Sequence, residues 1–322
     1  MRKILVIGSS NTDLIAKVKK FPAAGETIEG ISFLQAMGGK GANQAMAAHR
    51  LGGNVNFITC LGNDLYGKNS LKYYKKEGLQ TEGSLIIQNE ISGTALILVN
   101  KFGENLIVIT PGANKLLTPE HITNVSKIID KADIILLQME IPYETILHIC
   151  EIAKKKKKKI ILNAAPARKL STGLISKIDI LVVNETEAET ITNRKIADDG
   201  LNVIINSLID LGVNTVILTL GEDGCILKNK EVQISLPAFK VDVKDTTGAG
   251  DTFCGALAVG LSNGSELAMT LEFATAASAI CVTRMGAQPS IPNEKEVNSF
   301  LKDNIQSLRN KTFSKKNNII NS

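Results

Sequence analysis

The densest chemistry in the chain lies in Asp245-Thr-Thr-Gly-Ala-Gly-Asp251-Thr-Phe-Cys-Gly-Ala256. Three small residues, Gly248, Ala249 and Gly250, stand directly before Phe253, Leu257 and Leu261, whose spacing predicts the apolar stripe of a helix. Small residues let the backbone turn sharply and aim several N–H groups one way. At a helix start, those donors and the dipole form an anion site. A phosphoryl group in transfer needs such preorganised donors. Asp251 falls in the first turn, where a carboxylate can accept a proton from an attacking hydroxyl. The same position also suits a plain helix cap.

These residues need a scaffold that brings them together. Near-continuous β-branched runs predict strands at Lys3–Ile7, Val55–Cys60, Ile134–Leu137, Ile160–Asn163, Ile180–Val183 and Thr215–Thr219. Such runs suit strands covered on both faces. Between them, helices are expected at Ala42–Leu51, Leu65–Glu77, Tyr143–Lys154, Glu185–Thr192 and Asp198–Leu211. Alternating elements of this kind predict a three-layer α/β/α fold around a mainly parallel central sheet. Two stretches break the rhythm: about 14–37, with a Pro and several glycines but no good helix, and about 85–110, with strand-like Ala95–Val99 and Leu106–Ile109 around the turn-like NKFGEN. Together they are expected to form a small β-sheet lid. Helical spacing returns at Gly250–Leu261, Glu266–Arg284 and Glu294–Leu308. One domain over 1–308 is expected, followed by a frayed polar tail, 309–322.

Further short motifs follow the same order along the chain. Gly38-Gly39-Lys40-Gly41-Ala42-Asn43-Gln44 opens an Ala-rich helix. Asn184-Glu-Thr-Glu187 and Thr219-Leu-Gly-Glu-Asp-Gly224 each follow a strand. Gly112-Ala113-Asn114 and Thr283-Arg-Met-Gly-Ala-Gln-Pro289 complete the set. From Ser10 to about Pro292 this ordered set resembles the PfkB-type carbohydrate kinases, and their ribokinase branch in particular.

The resemblance implies a ribokinase-like fold and ATP-dependent transfer of a phosphoryl group to a sugar, D-ribose at its 5-hydroxyl, giving ribose 5-phosphate and ADP. Asp251 would be the base, with Gly248, Ala249 and Gly250 as the anion site. The sugar would meet Asn11, Thr12, Asp13, Gly39, Lys40, Gly41, Ala42, Asn43, Glu140 and Asp251; amides and carboxylates suit a polyol, in which every hydroxyl donates and accepts. An amide at Asn11 would favour ribose over 2-deoxyribose, because a site built for a hydroxyl loses strongly without it. The nucleotide would lie along Asn184, Glu187, Thr219, Leu220, Gly221, Glu222, Asp223, Gly224, Gly250 and Asp251. Thr275 stands where related kinases carry His or Asn beside adenine. Mg²⁺ would be organised near Glu187 through water. An activating K⁺ would sit among Asp245, Thr247, Cys281, Arg284, Gly286 and Ser290, mostly on backbone carbonyls. A homodimer through the lid is also implied. The competing expectations are a kinase of the same family for 2-deoxyribose or a nucleoside, and a non-catalytic sugar sensor; few aromatics argue against a nucleoside, and the intact Asp251 against a sensor.

Composition excludes other classes. No apolar run reaches the roughly 20 residues of a membrane span, and the first residues lack a signal-peptide cleavage pattern, so a cytoplasmic enzyme is expected. The five cysteines are scattered without a CxxC pair, and none of the three histidines neighbours a Cys, Asp or Glu at metal-ligand spacing, against disulfide frameworks and His-based metal sites. Net charge is +5, but removing the six-lysine run Lys154–Lys159 leaves −1. With no Arg or aromatic residues interleaved, that run reads as a solvated helix end, not a nucleic-acid surface. No GxGxxG follows the first strand and no GxxxxGK[ST] occurs, against a dinucleotide-dependent dehydrogenase and a Walker-type enzyme.

Overall fold

The computed structural model describes residues 2–319, and their side chains as far as residue 306. In chain order the strands are β1 (Lys3–Ile7), β2 (Asn11–Val18), β3 (Gly30–Gly38), β4 (Asn54–Ile58), β5 (Cys60–Gly62), β6 (Leu85–Ile87), β7 (Gly93–Val99), β8 (Asn105–Thr110), β9 (Ile134–Leu137), β10 (Lys159–Asn163), β11 (Ile180–Asn184), β12 (Thr215–Thr219), β13 (Cys225–Asn229) and β14 (Gln233–Leu236). Eight of them form the central sheet in the order β14-β13-β12-β11-β10-β9-β1-β4. The six strands from β12 to β4 run parallel, and β13 and β14 add an antiparallel edge.

Both faces of this sheet are covered, which explains the unbroken apolar runs. Along β1, Ile4 and Val6 enter one core while Leu5 and Ile7 enter the other; β9 divides in the same way, Ile134 and Leu136 against Ile135 and Leu137. Helices Lys40–Arg50, Ala249–Ser262 and Leu267–Cys281 cover the first face, and Tyr143–Lys155 and Leu201–Asp210 the second. The helix Leu65–Glu77 starts where Asp64 accepts from the Gly67 N–H and stops at Gly78 in the left-handed region.

A second sheet, β3-β2-β7-β8, stands apart from the first. β2 pairs antiparallel with β3 and parallel with β7, and β7 pairs antiparallel with β8. It is buried around Asn11–Asp13, Gly38 and Gly93; away from there β3 and β8 are mostly exposed, β7 is half-buried, and β2 ends on buried Val18. Phe33, Leu34, Leu96, Leu106, Ile107 and Val108 are exposed.

Several elements differ from the sequence expectation. The stretch Val55–Cys60 divides at Thr59 into β4 and β5. Leu85–Ile87 does not join the outer sheet but pairs with β5; Asn89, at φ 58°, turns the chain before β7 begins. The helix expected over Asp198–Leu211 is two helices, Ile196–Asp199 and Leu201–Asp210, broken at Gly200 with φ 81°. The final helix does not end at Leu308 but continues to Ile319, because no Gly or Pro interrupts it; residues 320–322 lie outside the described residues. The lysine run closes the helix Tyr143–Lys155 and enters β10, with Lys154 paired to Asp179 and Lys156 to Asp130. No helix among the described residues is long and apolar enough to cross a membrane.

Candidate active site

The motifs converge at the C-terminal ends of the parallel strands, where open α/β sheets place their ligands. Ser9 and Ser10 follow β1, Glu140 follows β9, Asn163 ends β10, Asn184 ends β11 and Thr219 ends β12. The helix beginning at Lys40 comes so close to β1 that a Cβ on Gly41 would lie 2.5 Å from the Gly8 carbonyl carbon and the Ser9 nitrogen. Only glycine fits there. A cavity of about 220 Å³ is lined by Lys40, Asn163, Asn184, Glu187, Gly250 and Asp251, with Ala165, Val182, Thr219, Thr246 and Gly248.

The helix Ala249–Ser262 starts at Gly248, in the left-handed region at φ 79°, and no side chain caps it. Its start therefore keeps orphan N–H donors and the positive end of the dipole at the cavity. The Ala249 N–H is the exception, since it donates to Thr246 O (3.2 Å), so the expected three-residue anion site narrows to its neighbours. Asp251 does not act as a cap. Its Oδ2 accepts from Asn43 Nδ2 and its Oδ1 from Gln44 Nε2, both at 2.9 Å, and it is buried.

Beside it stand Lys40, Glu140, Glu187 and Asp13. Burial works against the Lys40 charge, but Asp251, Glu140 and Glu187 outweigh it and hold the ammonium above the usual lysine range. Burial first, then Glu140 and Asp251, push Asp13 up from 3.8 to about 7. Glu140 Oε2 accepts from Ser9 Oγ (2.5 Å) and Lys40 N (3.0 Å), fastening the helix start to β1. Asn114 Nδ2 donates to Asn11 Oδ1 (2.8 Å) and Asn114 Oδ1 accepts from Ser10 N (3.0 Å), which orients the Asn11 amide. Thr12 is buried, and its Oγ1 has no partner among the described residues. Within Gly39–Asn43, the Gly41 N–H is engaged by Ser9 Oγ and the Ala42 N–H by Ser9 O, and Ala42 is fully buried, which leaves Gly39, Lys40 and Asn43 as the groups there with capacity for a sugar.

On the other flank, Asn184 and Glu187 form a capping box: Asn184 Oδ1 accepts from Glu187 N while Glu187 Oε2 accepts from Asn184 N. Burial raises the Glu187 pKa, with the Asn184 N–H and Lys40 opposing it. Thr219 lines the cavity, Leu220 follows it, and Gly221, Glu222 and Asp223 form an exposed turn closed by Gly224. Thr275 is buried with its hydroxyl 3.9 Å from Cys225 Sγ and does not line the cavity.

The expected cation residues also meet. Asp245 Oδ1 accepts from Thr247 N and Oγ1, and its Oδ2 from Gly286 N; these bonds outweigh burial and keep its pKa low. Cys281 Sγ lies 2.9 Å from Ser290 Oγ. Arg284 joins through its backbone, while its side chain pairs with Glu296. No cluster of three His, Cys, Asp or Glu able to hold a metal occurs among the described residues.

The residues that sequence reasoning missed are Ser9, Gln44, Asn114, Gln138, Asn163 and Gln288. Gln44, Asn114 and Gln288 stood inside quoted motifs; the other three carry no local signal.

Comparison with known proteins agrees with this geometry. The pattern of the pfkB family carbohydrate kinases matches residues 1–294. A ribokinase of Haemophilus influenzae is 41% identical over 94% of this chain and 99% of its own. A deoxyribokinase of Salmonella typhi is 37% identical over 92% and 98%. Among solved structures, ribokinase of Arabidopsis thaliana complexed with ribose and ATP shares 33% identity at a TM-score of 0.88, covering 94% of this chain and 99% of that one. Ribokinase from Thermotoga maritima shares 39% at 0.85, covering 94% and 100%. The chain belongs to the pfkB family of carbohydrate kinases.

Proposed function

We propose that this protein is an ATP-dependent ribokinase, forming ribose 5-phosphate and ADP from D-ribose. The observation that carries the reading is Asp251: a buried carboxylate, gripped on both oxygens by amides, at the uncapped start of a helix that faces the cavity. The relatives named above supply the substrate. Asn11 offers its Nδ2 to a sugar hydroxyl because Asn114 occupies its Oδ1. The outer sheet, mostly exposed along β3 and β8, is read as a lid over the sugar.

Asp251 takes the proton of the 5-hydroxyl, and the freed oxygen attacks the γ-phosphoryl group of ATP in line. The Gly250 N–H, the helix dipole and Lys40 meet the negative charge that develops. Glu187, with Asn184, presents oxygen donors that fit Mg²⁺ through water, and the ion when bound neutralises phosphate charge. Asp245 and the turn 283–290 around it offer a carboxylate and backbone carbonyls, hard donors that fit K⁺; when bound, the ion adds positive charge beside the helix start. We read the protein as cytoplasmic and as a homodimer joined through the exposed apolar residues of the outer sheet.

The deoxyribokinase relative supports a second reading, 2-deoxyribose as the acceptor. ADP production from MgATP with ribose, 2-deoxyribose and adenosine, in K⁺ and then Na⁺ buffer, separates the two. Ribose-dependent turnover, faster in K⁺ and lost in Asp251→Asn with sugar binding kept, is expected. Turnover with deoxyribose alone overturns the substrate; normal turnover by Asp251→Asn removes it as the base.

A further inference from the structure

Asp251 is the centre of a buried amide chain drawn from five distant parts of the sequence. Gln44 Nε2 reaches both Asp251 Oδ1 (2.9 Å) and Asn163 Oδ1 (3.0 Å), while Gln44 Oε1 accepts from Gln138 Nε2 (2.7 Å). Asn163 is anchored in turn through its Nδ2 to Val182 O at 3.3 Å. On the other side, Asn43 Nδ2 reaches Asp251 Oδ2 and Asn43 Oδ1 accepts from Gln288 Nε2 (3.1 Å). Gln44 and Gln138 are completely buried, and Gln288 and Asn163 nearly so. Buried amides cost free energy unless paired, and this chain is not fully paired: Gln138 Oε1 and Gln288 Oε1 lack partners among the described residues. Apolar side chains of similar volume would pack these positions at lower cost. The arrangement has an effect that they would lack: each carboxylate oxygen of Asp251 is held by one amide, and each amide is itself held by another.

We infer that Gln44 is a positioning residue for phosphoryl transfer, clamped by Gln138 and Asn163 so that its Nε2 fixes the plane of the Asp251 carboxylate, with Asn43 and Gln288 as the matching clamp on the other oxygen. The inference rests on Asp251 being the base. Neutral amides suit this task. They orient the carboxylate without the ion pair that a lysine or arginine partner would form, which would hold the group more firmly as an anion and make it a poorer proton acceptor. Gln44 touches neither sugar nor nucleotide in this reading; it acts through Asp251.

The test compares wild type, Gln44→Met, Gln138→Met and Asp251→Asn. Sugar affinity is read by titration calorimetry, kcat at saturating MgATP, and Tm by thermal unfolding. Gln44→Met is expected to lose roughly 10²-fold in kcat, the scale of a small misplacement of a reacting group, with ribose affinity within about threefold. Gln138→Met, which leaves Asp251 untouched, shows the same pattern at about one order of magnitude. If Gln44→Met does not fold, Gln138→Met alone decides. A kcat within twofold of wild type, or affinity and kcat falling together with Tm, overturns the inference. Absence of sugar-dependent turnover in the wild type overturns the kinase reading itself, a different result from active wild type with indifferent Gln44 and Gln138 variants.

Discussion

Replacing Asp13 by Asn should make this protein more stable at neutral pH. Asp13 is 9% exposed, and burial together with Glu140 and Asp251 lifts it from 3.8 to about 7. The folded state therefore holds the Asp13 proton more tightly than the unfolded chain does. The stability that this group contributes is complete below pH 3.8, falls as pH rises, and is gone above about pH 7. The whole range corresponds to about 4 kcal/mol as an upper figure, of which about 1.6 kcal/mol is already lost by pH 5. An Asn at this position carries no charge at any pH, so the gap between variant and wild type should widen by about 2–3 kcal/mol from pH 5 to pH 8. At roughly 2 °C per kcal/mol for a chain of this size, the Tm difference grows by about 5 °C. Thermal unfolding followed by circular dichroism at half-unit pH steps measures it. Parallel Tm profiles for the two proteins would refute the reasoning. A difference that narrows with pH would show that the carboxylate has a stabilising partner. The family resemblance implies that Asp13 meets the sugar, and on that reading the same variant should lose the Tm increase that ribose gives to wild type.

Asn184→Ala removes the side-chain half of the capping box, the Oδ1 that accepts from Glu187 N, and leaves the backbone N–H that donates to Glu187; it should cost about 1 kcal/mol, read as a Tm drop near 2 °C, and an unchanged Tm would mean that this cap contributes nothing. Gly41→Ala forces a Cβ onto the Gly8–Ser9 backbone and should cost roughly 1–3 kcal/mol or more, with sugar turnover falling as the helix start moves away from Glu140; wild-type Tm and turnover would show that the backbone yields freely. Val108→Lys places a charge on the exposed apolar sheet and should convert the proposed dimer to monomers in sedimentation analysis while Tm stays within about 2 °C; a wild type that sediments as a monomer, or a variant of unchanged mass, would refute dimerisation through this sheet.

The central sheet was legible because strands buried on both faces cannot hide. Ile134–Leu137 and Thr215–Thr219 read as strands and are strands with the same limits. Leu65–Glu77 was equally plain, with an acceptor before it and a glycine after it. The hairpin β13–β14 passed unnoticed because CILKNKEVQISL alternates with Lys, Glu and Gln, as an edge pair half open to water does. At the site, Asp251, Lys40 and Glu187 announced themselves through motifs. Gln138 and Asn163 did not, since an amide next to an apolar strand has no periodicity of its own. Its meaning comes from a partner 94 or 119 residues away, a separation that only the folded topology closes.

The outer sheet has the mechanics of a beam clamped at one end. Its clamp is the short passage from β1 to β2, where Asn114 grips Ser10 and Asn11, and Ser10 Oγ meets Tyr74 Oη at 2.6 Å. Beyond this root, β2 extends eight residues, about 26 Å of lever. A tilt of about 10° at the root carries the tip some 4–5 Å over that length. The root and the tip are therefore unequal under mutation. A side chain added at Gly38 or Gly93 would strike Asp13, or Asn11 and Asn114, and shift the whole beam at its fulcrum. At Gly25 and Gly103 a Cβ would meet nothing within 4 Å, and the strain that a side chain brings there, at φ 79° and 81°, stays within the turn itself.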